Sequence, residues 1–502
     1  MGKILGHLSP EPVWRFFEEI CHIPRPSKKE EKIISYLIDF AQNHHLEYKQ
    51  DKAGNLLIKK PAFPGFENTK TVVLQSHVDM VCEKNADVEH DFDTDPIIPY
   101  IDGDWVKARG TTLGADNGIG VSVKLAVLEN KQLQHGPLEC LFTVDEETGL
   151  TGAFELDKDF LQGKTMINLD SEDDDELCIG CAGGVDTTAV FEYTGVANES
   201  DHMAFKVTVS GLKGGHSGDD INKGRGNAIK IITRVLWNCQ RMFEMRLGQI
   251  DGGNLRNAIP REAFALVTVP SKYQKDFILQ IQEFNDMIAE EQKVNEPGLR
   301  ILAHATALPD AVVDYDTQTG LLGALYACPH GVIGMSPVIE NLVETSTNLA
   351  SVKMNTHEII VSTSQRSSVE SLKKEIADRV AGVFMLVNAR IKHGDGYPGW
   401  KPNMNSSILK VMEKTYTDLF GEDPKVLAVH AGLECGLIGQ KYPGMDMISV
   451  GPTMDGVHSP DERLNIPSVE RSWQFLVKTL ENIASEPRHD KNFDTHADDY
   501  NS

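Results

Sequence analysis

The sequence predicts an α/β domain interrupted by an inserted α+β unit. Three observations carry this reading. Strand-like and helix-like segments alternate from Asn55 to about residue 186, which is the signature of an open α/β sheet with helices on both faces. From 187 to 392 the texture changes to short segments of strict apolar–polar alternation separated by helical stretches. The first texture then returns near residue 395. The expected organisation is a discontinuous domain of residues 1–186 and 393–485, an inserted unit of residues 187–392, and a polar, aperiodic and disordered tail at 486–502.

Taken in order, Ser9 and Ser27 read as helix caps, the latter with Glu30 in a capping box, ahead of helices at about 10–22 and 28–44. "TVVLQSH" (71–77) reads as a strand, "GIGVSVKLAVLEN" (118–130) as a helix, and "LECLFTV" (138–144) and "KTMINLD" (164–170) as further strands of a mixed, mostly parallel sheet. In the inserted unit, "AFKVTVSGL", "AFALVTVP" and "EIIVSTSQ" are strands and 227–243 and 271–291 are helices. A helix at 405–419, the strand "DMISVG" and a last helix at 468–484 complete the first domain.

A chain of 502 residues exceeds the size at which one core keeps growing, so more than one domain is expected. No apolar run approaches the roughly 18 residues of a membrane span, and "MGKILGHLSPEP" lacks the apolar stretch of a signal peptide, so a cytoplasmic location is expected. The formal charge, 49 − 74 = −25, opposes binding to nucleic-acid phosphates and to anionic lipid. Neither nucleic acid nor membrane is an expected partner. Cys178 and Cys181 form the one close cysteine pair, with no second pair to complete a zinc knuckle, so the eight cysteines read as free thiols.

The chemistry gathers where strands end. His77 and Asp79 close one strand in "QSHVDM", and a spacing of two puts them on one side of an extended chain. Asp116 lies in "GTTLGADNGIG", Glu146 and Glu147 follow "LFTVD", Asp170 lies in "NLDSE", and His458 lies in "GPTMDGVHSPDE". Each has an ordinary structural explanation when taken singly. Together, at the carboxyl rim of an open sheet, they make a half-buried anionic pocket that requires cations.

Imidazole and carboxylate without thiolate suit zinc, manganese or cobalt. Five ligands around two ions require one shared ligand, and Asp116 is the natural bridge, because a carboxylate can offer one oxygen to each of two metals about 3.5 to 4 Å apart. Water activated there needs a separate proton acceptor. Glu147 then binds metal, and Glu146 remains as general base. Other motifs fail: "LQGKT" has Lys158 where a phosphate loop needs its first glycine, the serine-elbow frame around Ser217 breaks at Asp219, and no H-E-x-x-H occurs.

These motifs, with "KARGTTLGADNGIG", "GLKGGHSG", "LRNAIPREAFA" and "HAGLECGL", resemble the co-catalytic metallopeptidases that include aminoacylases, peptidase T and carnosinase-like dipeptidases. The resemblance is strongest to the aminoacyl-histidine (Xaa-His) dipeptidases and runs from about residue 7 to 484. It implies a zinc-peptidase-like catalytic domain interrupted by a lid. It implies two divalent metals, zinc before cobalt or manganese, with His77 and Asp170 on one, Glu147 and His458 on the other, and Asp116 between them. Asp79 would orient His77.

In the lid, His216 would contact the substrate carbonyl oxygen, and Asn257 and Arg366 would hold its C-terminal carboxylate. Where relatives carry Gly-Thr-Asp or Gly-Gly-Ser segments this chain has "HAGLECG" (430–436), so His430 and Glu434 are expected only to line the pocket. The implied reaction is hydrolysis of unblocked dipeptides, including beta-alanyl-histidine (carnosine), by a homodimer. The alternatives are an N-acyl amino-acid deacylase or carboxypeptidase on the same site, and a non-catalytic peptide-binding module.

Overall fold

The computed structural model describes residues 4–485, so the tail expected at 486–502 lies outside the described residues. The chain divides into two compact units: Met1–Ile179 with Asn403–Leu427 and Leu437–Ser502, and Gly180–Pro402 with Ala428–Gly436. The second unit starts before 187, where Gly183–Glu192 pairs along its whole length with Glu358–Ser367, runs past 392, where Gly184 bridges to Tyr397 and Cys181 to Trp400, and takes in Ala428–Gly436, where the Ala182 N–H meets the carbonyls of Val429 and Ala431.

The first unit is built on an eight-stranded sheet. Its strand order is Glu47–Gln50, Leu56–Lys60, Leu138–Thr143, Val72–His77, Thr165–Asn168, Asp446–Ser449, Glu176–Cys181 and Lys425–Val429. The four strands from Leu138–Thr143 to Asp446–Ser449 are parallel, while Glu47–Gln50, Leu56–Lys60 and Glu176–Cys181 join antiparallel. Every residue of Val72–His77 and Leu138–Thr143 is buried; the apolar runs Val72–Leu74 and Cys140–Phe142 suit strands covered on both faces, and Gln75, Ser76, His77, Glu139 and Thr143 are polar residues buried beside them. The helix Ala115–Glu129 packs on Val72–His77 and against the helix Glu11–Cys21.

A four-stranded sheet, Met454–Asp455, Arg463–Asn465, Trp105–Ala108 and Pro99–Asp102, carries the last functional loop. Met454 pairs with Leu464, so residues 456–462 are the loop of a hairpin. Arg463 in turn pairs with Lys107, on the strand that leads into the Asp116 segment.

Two cap assignments are corrected. The first helix begins after Pro10 with no side-chain cap, and Ser9 Oγ donates to Glu470 Oε1 at 3.0 Å. The second begins at Glu31 with Glu30 at the N-cap position, again without a side-chain cap. Ser27 Oγ donates to Asp79 Oδ2 at 2.7 Å, and Glu30 Oε1 accepts the backbone N–H groups of Lys28 and Asp145, each at 2.9 Å. Both residues serve the rim of the sheet instead of the helix end.

The second unit has a nine-stranded antiparallel sheet covered by the helices Ala228–Met242, Gln274–Gln292, Tyr315–Ala327 and Glu370–Met385. Asn227 caps the first of these through the N–H groups of Ile229 and Lys230, at 3.0 and 3.2 Å. Phe205, Val235, Leu236, Phe277 and Phe384 belong to one continuous core. Among the described residues no helix is long and apolar enough to cross a membrane. All eight cysteines are free, and all but Cys82 are buried.

Candidate active site

The four parallel strands run the same way, so their carboxyl ends share one rim. His77 is the last residue of its strand, pairs in register with Thr143, and is 1% exposed. Asp79, two residues on, is fully buried and lies 3.3 Å from His77 Nδ1 through Oδ1. Its two oxygens also accept the N–H groups of Glu146 (3.0 Å) and Glu147 (3.2 Å). Burial opposes the Asp79 charge, but the hydrogen bond and charge of His77, together with the Glu146 N–H and the Ser27 hydroxyl, hold its carboxyl down at about 2.

Asp116 stands at the start of the helix Ala115–Glu129, after Gly114 at φ +70° and before a cis peptide to Asn117. Its carboxylate faces both imidazoles: Oδ1 is 2.9 Å from His77 Nε2 and Oδ2 is 3.1 Å from His458 Nε2. His458 Nε2 is also 3.1 Å from Glu147 Oε2. Asp170 Oδ1 is 3.4 Å from His77 Nε2; it lies two residues beyond its strand, which ends at Asn168. Asn117 Nδ2 donates to the Leu169 carbonyl at 2.9 Å and to Asp170.

Two triads of ligand atoms result, His77–Asp116–Asp170 and Asp116–Glu147–His458, each within 4.8 Å of one another and with Asp116 in both. Glu146 joins His77 and Glu147 in a third such group.

The electrostatics of this arrangement are those of a cation site. Asp116 is driven well below the usual carboxylate range by His458 and His77 despite its burial. Glu147 and Asp170 are pushed up, first by burial. His77 is raised by Asp170, Asp116 and Asp79 against the effect of burial. His458 is raised to about 11 by its hydrogen bonds to Asp116 and Glu147. Four carboxylates thus face two imidazoles, and Glu147 Oε1 is buried without a hydrogen-bond partner. The donor set of nitrogen and oxygen, the shared carboxylate and the orphaned oxygen all fit a pair of divalent metals.

The remaining candidates lie in the second unit. His216 forms an isolated bridge with Ala258, and Ser217 N–H donates to the Asn257 carbonyl at 2.7 Å, so His216 and Asn257 sit on paired segments. His216 Nδ1 is 2.9 Å from Asp219 Oδ2. Asn257 and Arg366 line a cleft of about 320 Å³ together with Arg256, Asp186 and Tyr397. Arg366, 7% exposed, donates through Nη1 to the Tyr397 hydroxyl at 3.0 Å. His430 is pushed down to about 4 by burial and then by the charge of Arg366, and its Nε2 is 2.7 Å from Ser346 Oγ. Glu434 is fully buried at the start of the helix Glu434–Lys441.

Residue patterns did not single out Asn117, Tyr397, Arg25 or Glu462. Asn117 follows Asp116 directly and was within reach of the motif. The others are remote in sequence from the groups they touch.

Comparison with known proteins identifies the family. The family model "Peptidase family M20/M25/M40" matches residues 73–482. The cytosol non-specific dipeptidase of Escherichia coli (strain K12) is 43% identical over 479 residues, covering 95% of this chain and 99% of that protein. The crystal structure of aminoacylhistidine dipeptidase from Vibrio alginolyticus superposes with a TM-score of 0.88 at 43% identity, covering 95% of this chain and 97% of that one. A tripeptidase from Staphylococcus aureus shares the fold at 17% identity, with a TM-score of 0.57 over 95% of this chain and 100% of its own. The match over most of the chain, and the 43% identity across nearly the full length of a relative, show that this chain belongs to peptidase family M20/M25/M40.

Proposed function

We propose that this chain is a metal-dependent dipeptidase that hydrolyses unblocked dipeptides, Xaa-His and beta-alanyl-histidine among them, and works in the cytoplasm as a homodimer. The observation that carries the reading is the pair of ligand triads sharing Asp116, with Glu146 beside them. His77, Asp116 and Asp170 would hold one divalent ion and Asp116, Glu147 and His458 the other, with zinc the first choice and cobalt or manganese also suited to these donors. Ions bound there supply Lewis acidity toward the peptide carbonyl and lower the pKa of water.

The chain's own groups do the rest. Glu146 takes the proton from the attacking water and delivers it to the leaving amine. Asp79 fixes the ring of His77 through Nδ1 and, by accepting the backbone N–H groups of Glu146 and Glu147, keeps base and ligand at the rim. The second unit is the inserted lid, substrate-binding domain of this reading. In it Arg366 and Asn257 receive the C-terminal carboxylate, and His216 donates to the carbonyl oxygen as charge develops there. The names of the two 43% identical relatives, a non-specific dipeptidase and an aminoacylhistidine dipeptidase, support the substrate class.

The test is a substrate panel on the purified protein before and after chelation. Carnosine, other Xaa-His dipeptides and non-His dipeptides should be cleaved, cleavage should vanish with chelator, and zinc should restore it. Faster cleavage of N-blocked dipeptides or acetylated amino acids would identify a carboxypeptidase or deacylase instead.

A further inference from the structure

We propose that Arg25 and Glu462 form a buried brace that positions Asp116, the carboxylate common to both ligand triads. This rests on the reading of Asp116 as a metal bridge and goes beyond it, because neither residue faces the ligand atoms.

Glu462 is 2% exposed, and its carboxylate collects four consecutive backbone N–H groups. Oε2 accepts from Leu113 (2.7 Å) and Gly114 (2.9 Å), and Oε1 accepts from Ala115 (2.8 Å) and Asp116 (3.2 Å). Three of them, from Gly114 to Asp116, are donors that a helix start leaves without partners, and an anion is favoured there. Gly114, at the N-cap position, has no side chain to cap them. A glutamate nearly 350 positions away in sequence does so instead.

Arg25, also 2% exposed, grips the other side of the same turn. Its guanidinium donates to the carbonyls of Val78 (3.0 Å), Asp79 (2.8 Å) and Gly114 (2.5 Å). Gly114 therefore gives its N–H to Glu462 and its carbonyl to Arg25. A Cβ at Gly114 would lie 2.5 Å from Arg25 Nη2 and 2.8 Å from Met80 Sδ, on a residue whose φ of +70° already disfavours a side chain.

A helix cap alone does not require this arrangement. Arg25 ties the backbone just beyond His77 to the turn that presents Asp116. Glu462 ties that turn to the hairpin loop bearing His458, four residues before it. The brace thus joins three ligand-bearing segments through backbone contacts and leaves their side chains facing the centre. Outer partners of this kind set metal affinity by fixing ligand orientation, and their loss typically weakens binding by about 10- to 100-fold.

Glu462→Gln keeps the shape but replaces one oxygen by an NH2 that faces two N–H donors. Metal affinity should be measured on the full chain by competition with a chromophoric chelator, alongside the visible spectrum of the Co2+-loaded protein and the circular dichroism of the metal-free form. The expected result is a native-like metal-free fold, metal held roughly 10- to 100-fold more weakly, and a shifted cobalt band. Arg25→Lys, which retains the charge but not the three-way fork, should move the same quantities in the same direction and decides the matter if Glu462→Gln does not fold. A folded variant at either position that holds metal with wild-type affinity and an unchanged cobalt spectrum overturns the brace. Wild-type affinity in Asp116→Asn would instead overturn the reading of the centre itself.

Discussion

The carboxylate of Asp79 accepts the backbone N–H of Glu146 at 3.0 Å while its other contacts reach His77, Glu147 and Ser27. One buried anion thereby sets both an imidazole and the turn that carries two glutamates. Asp79→Asn puts an NH2 group where an acceptor met N–H donors. It should lower kcat about 10- to 100-fold and loosen metal, as losses of outer partners do. Steady-state kinetics at saturating zinc, with metal content by atomic absorption, check this; an unchanged kcat would remove the positioning role.

The proposed mechanism gives the adjacent Glu146 and Glu147 separate roles, base and metal ligand. Glu146→Gln should keep both metals and the wild-type unfolding midpoint but lose turnover by about 100- to 10,000-fold, the usual contribution of a positioned acid–base group. Glu147→Gln should instead lose metal. Equal metal loss in both variants would mean that the two carboxylates share one job.

Arg366 is held by the Tyr397 hydroxyl at 3.0 Å, in the cleft that Asn257 also lines. Hydrogen bonds to charged groups are worth about 1.5 to 3 kcal/mol, so Arg366→Ala should lower kcat/KM for a free dipeptide by roughly 10- to 100-fold. The corresponding dipeptide amide, which has no carboxylate to bind, should be cleaved equally by both proteins. Tyr397→Phe should show a weaker version of the same discrimination. Identical losses on dipeptide and amide would place carboxylate recognition elsewhere.

His330 supplies a pH-dependent test of stability away from the ligand set. Its Nδ1 accepts the Leu349 N–H at 3.3 Å, and burial, followed by the charge of Lys230, pushes the ring down to about 4. The unfolded chain takes up a proton near pH 6.5 while the folded chain resists until about 4, so the unfolded form binds more protons between these values and stability falls as pH drops through this window. Between pH 7 and pH 5 the loss from this group is about 2 kcal/mol. Urea midpoints across this range should fall in the wild type and fall less in His330→Asn, whose side-chain oxygen can replace Nδ1 as acceptor. Parallel pH curves for the two proteins would refute this assignment.

Much of the fold was legible because it is written locally. Val72–His77 opens on the apolar run Val72–Leu74, Leu138–Thr143 carries the apolar run Cys140–Phe142, and Ala228–Met242 buries Ile232, Val235, Leu236 and Cys239 at helical spacing. Legibility failed where polar residues are buried. Val343–Met354 is a central strand of the second sheet, yet Thr345, Ser346, Thr347 and Asn348 are buried within it. Thr345 pairs with the Ser367 hydroxyl at 2.9 Å and Thr347 Oγ1 accepts from Gln365 at 3.2 Å. A hydroxyl ladder replaces the apolar alternation by which a strand is recognised. Ser27 and Glu30 misled for a related reason: a capping pattern is identical in sequence whether its side chains turn to the helix end or to Asp79 and Asp145.

By itself the sequence determined the elements with clear apolar periodicity and the chemical character of the expected rim, because periodicity and the placing of His77, Asp116, Glu147 and Asp170 beside apolar segments are properties of neighbouring residues. Only the tertiary structure decided which groups meet. Val72–His77 comes first in the chain among the parallel strands but lies between Leu138–Thr143 and Thr165–Asn168 in the sheet, so His77 reaches Asp116 and Asp170 together. The pairing of Arg463 with Lys107 likewise brings Glu462, one residue before it, to the Asp116 turn. Hydrogen bonds and charge compensation act through space over a few ångströms, and no local pattern records which distant donor or ion will satisfy a buried carboxylate.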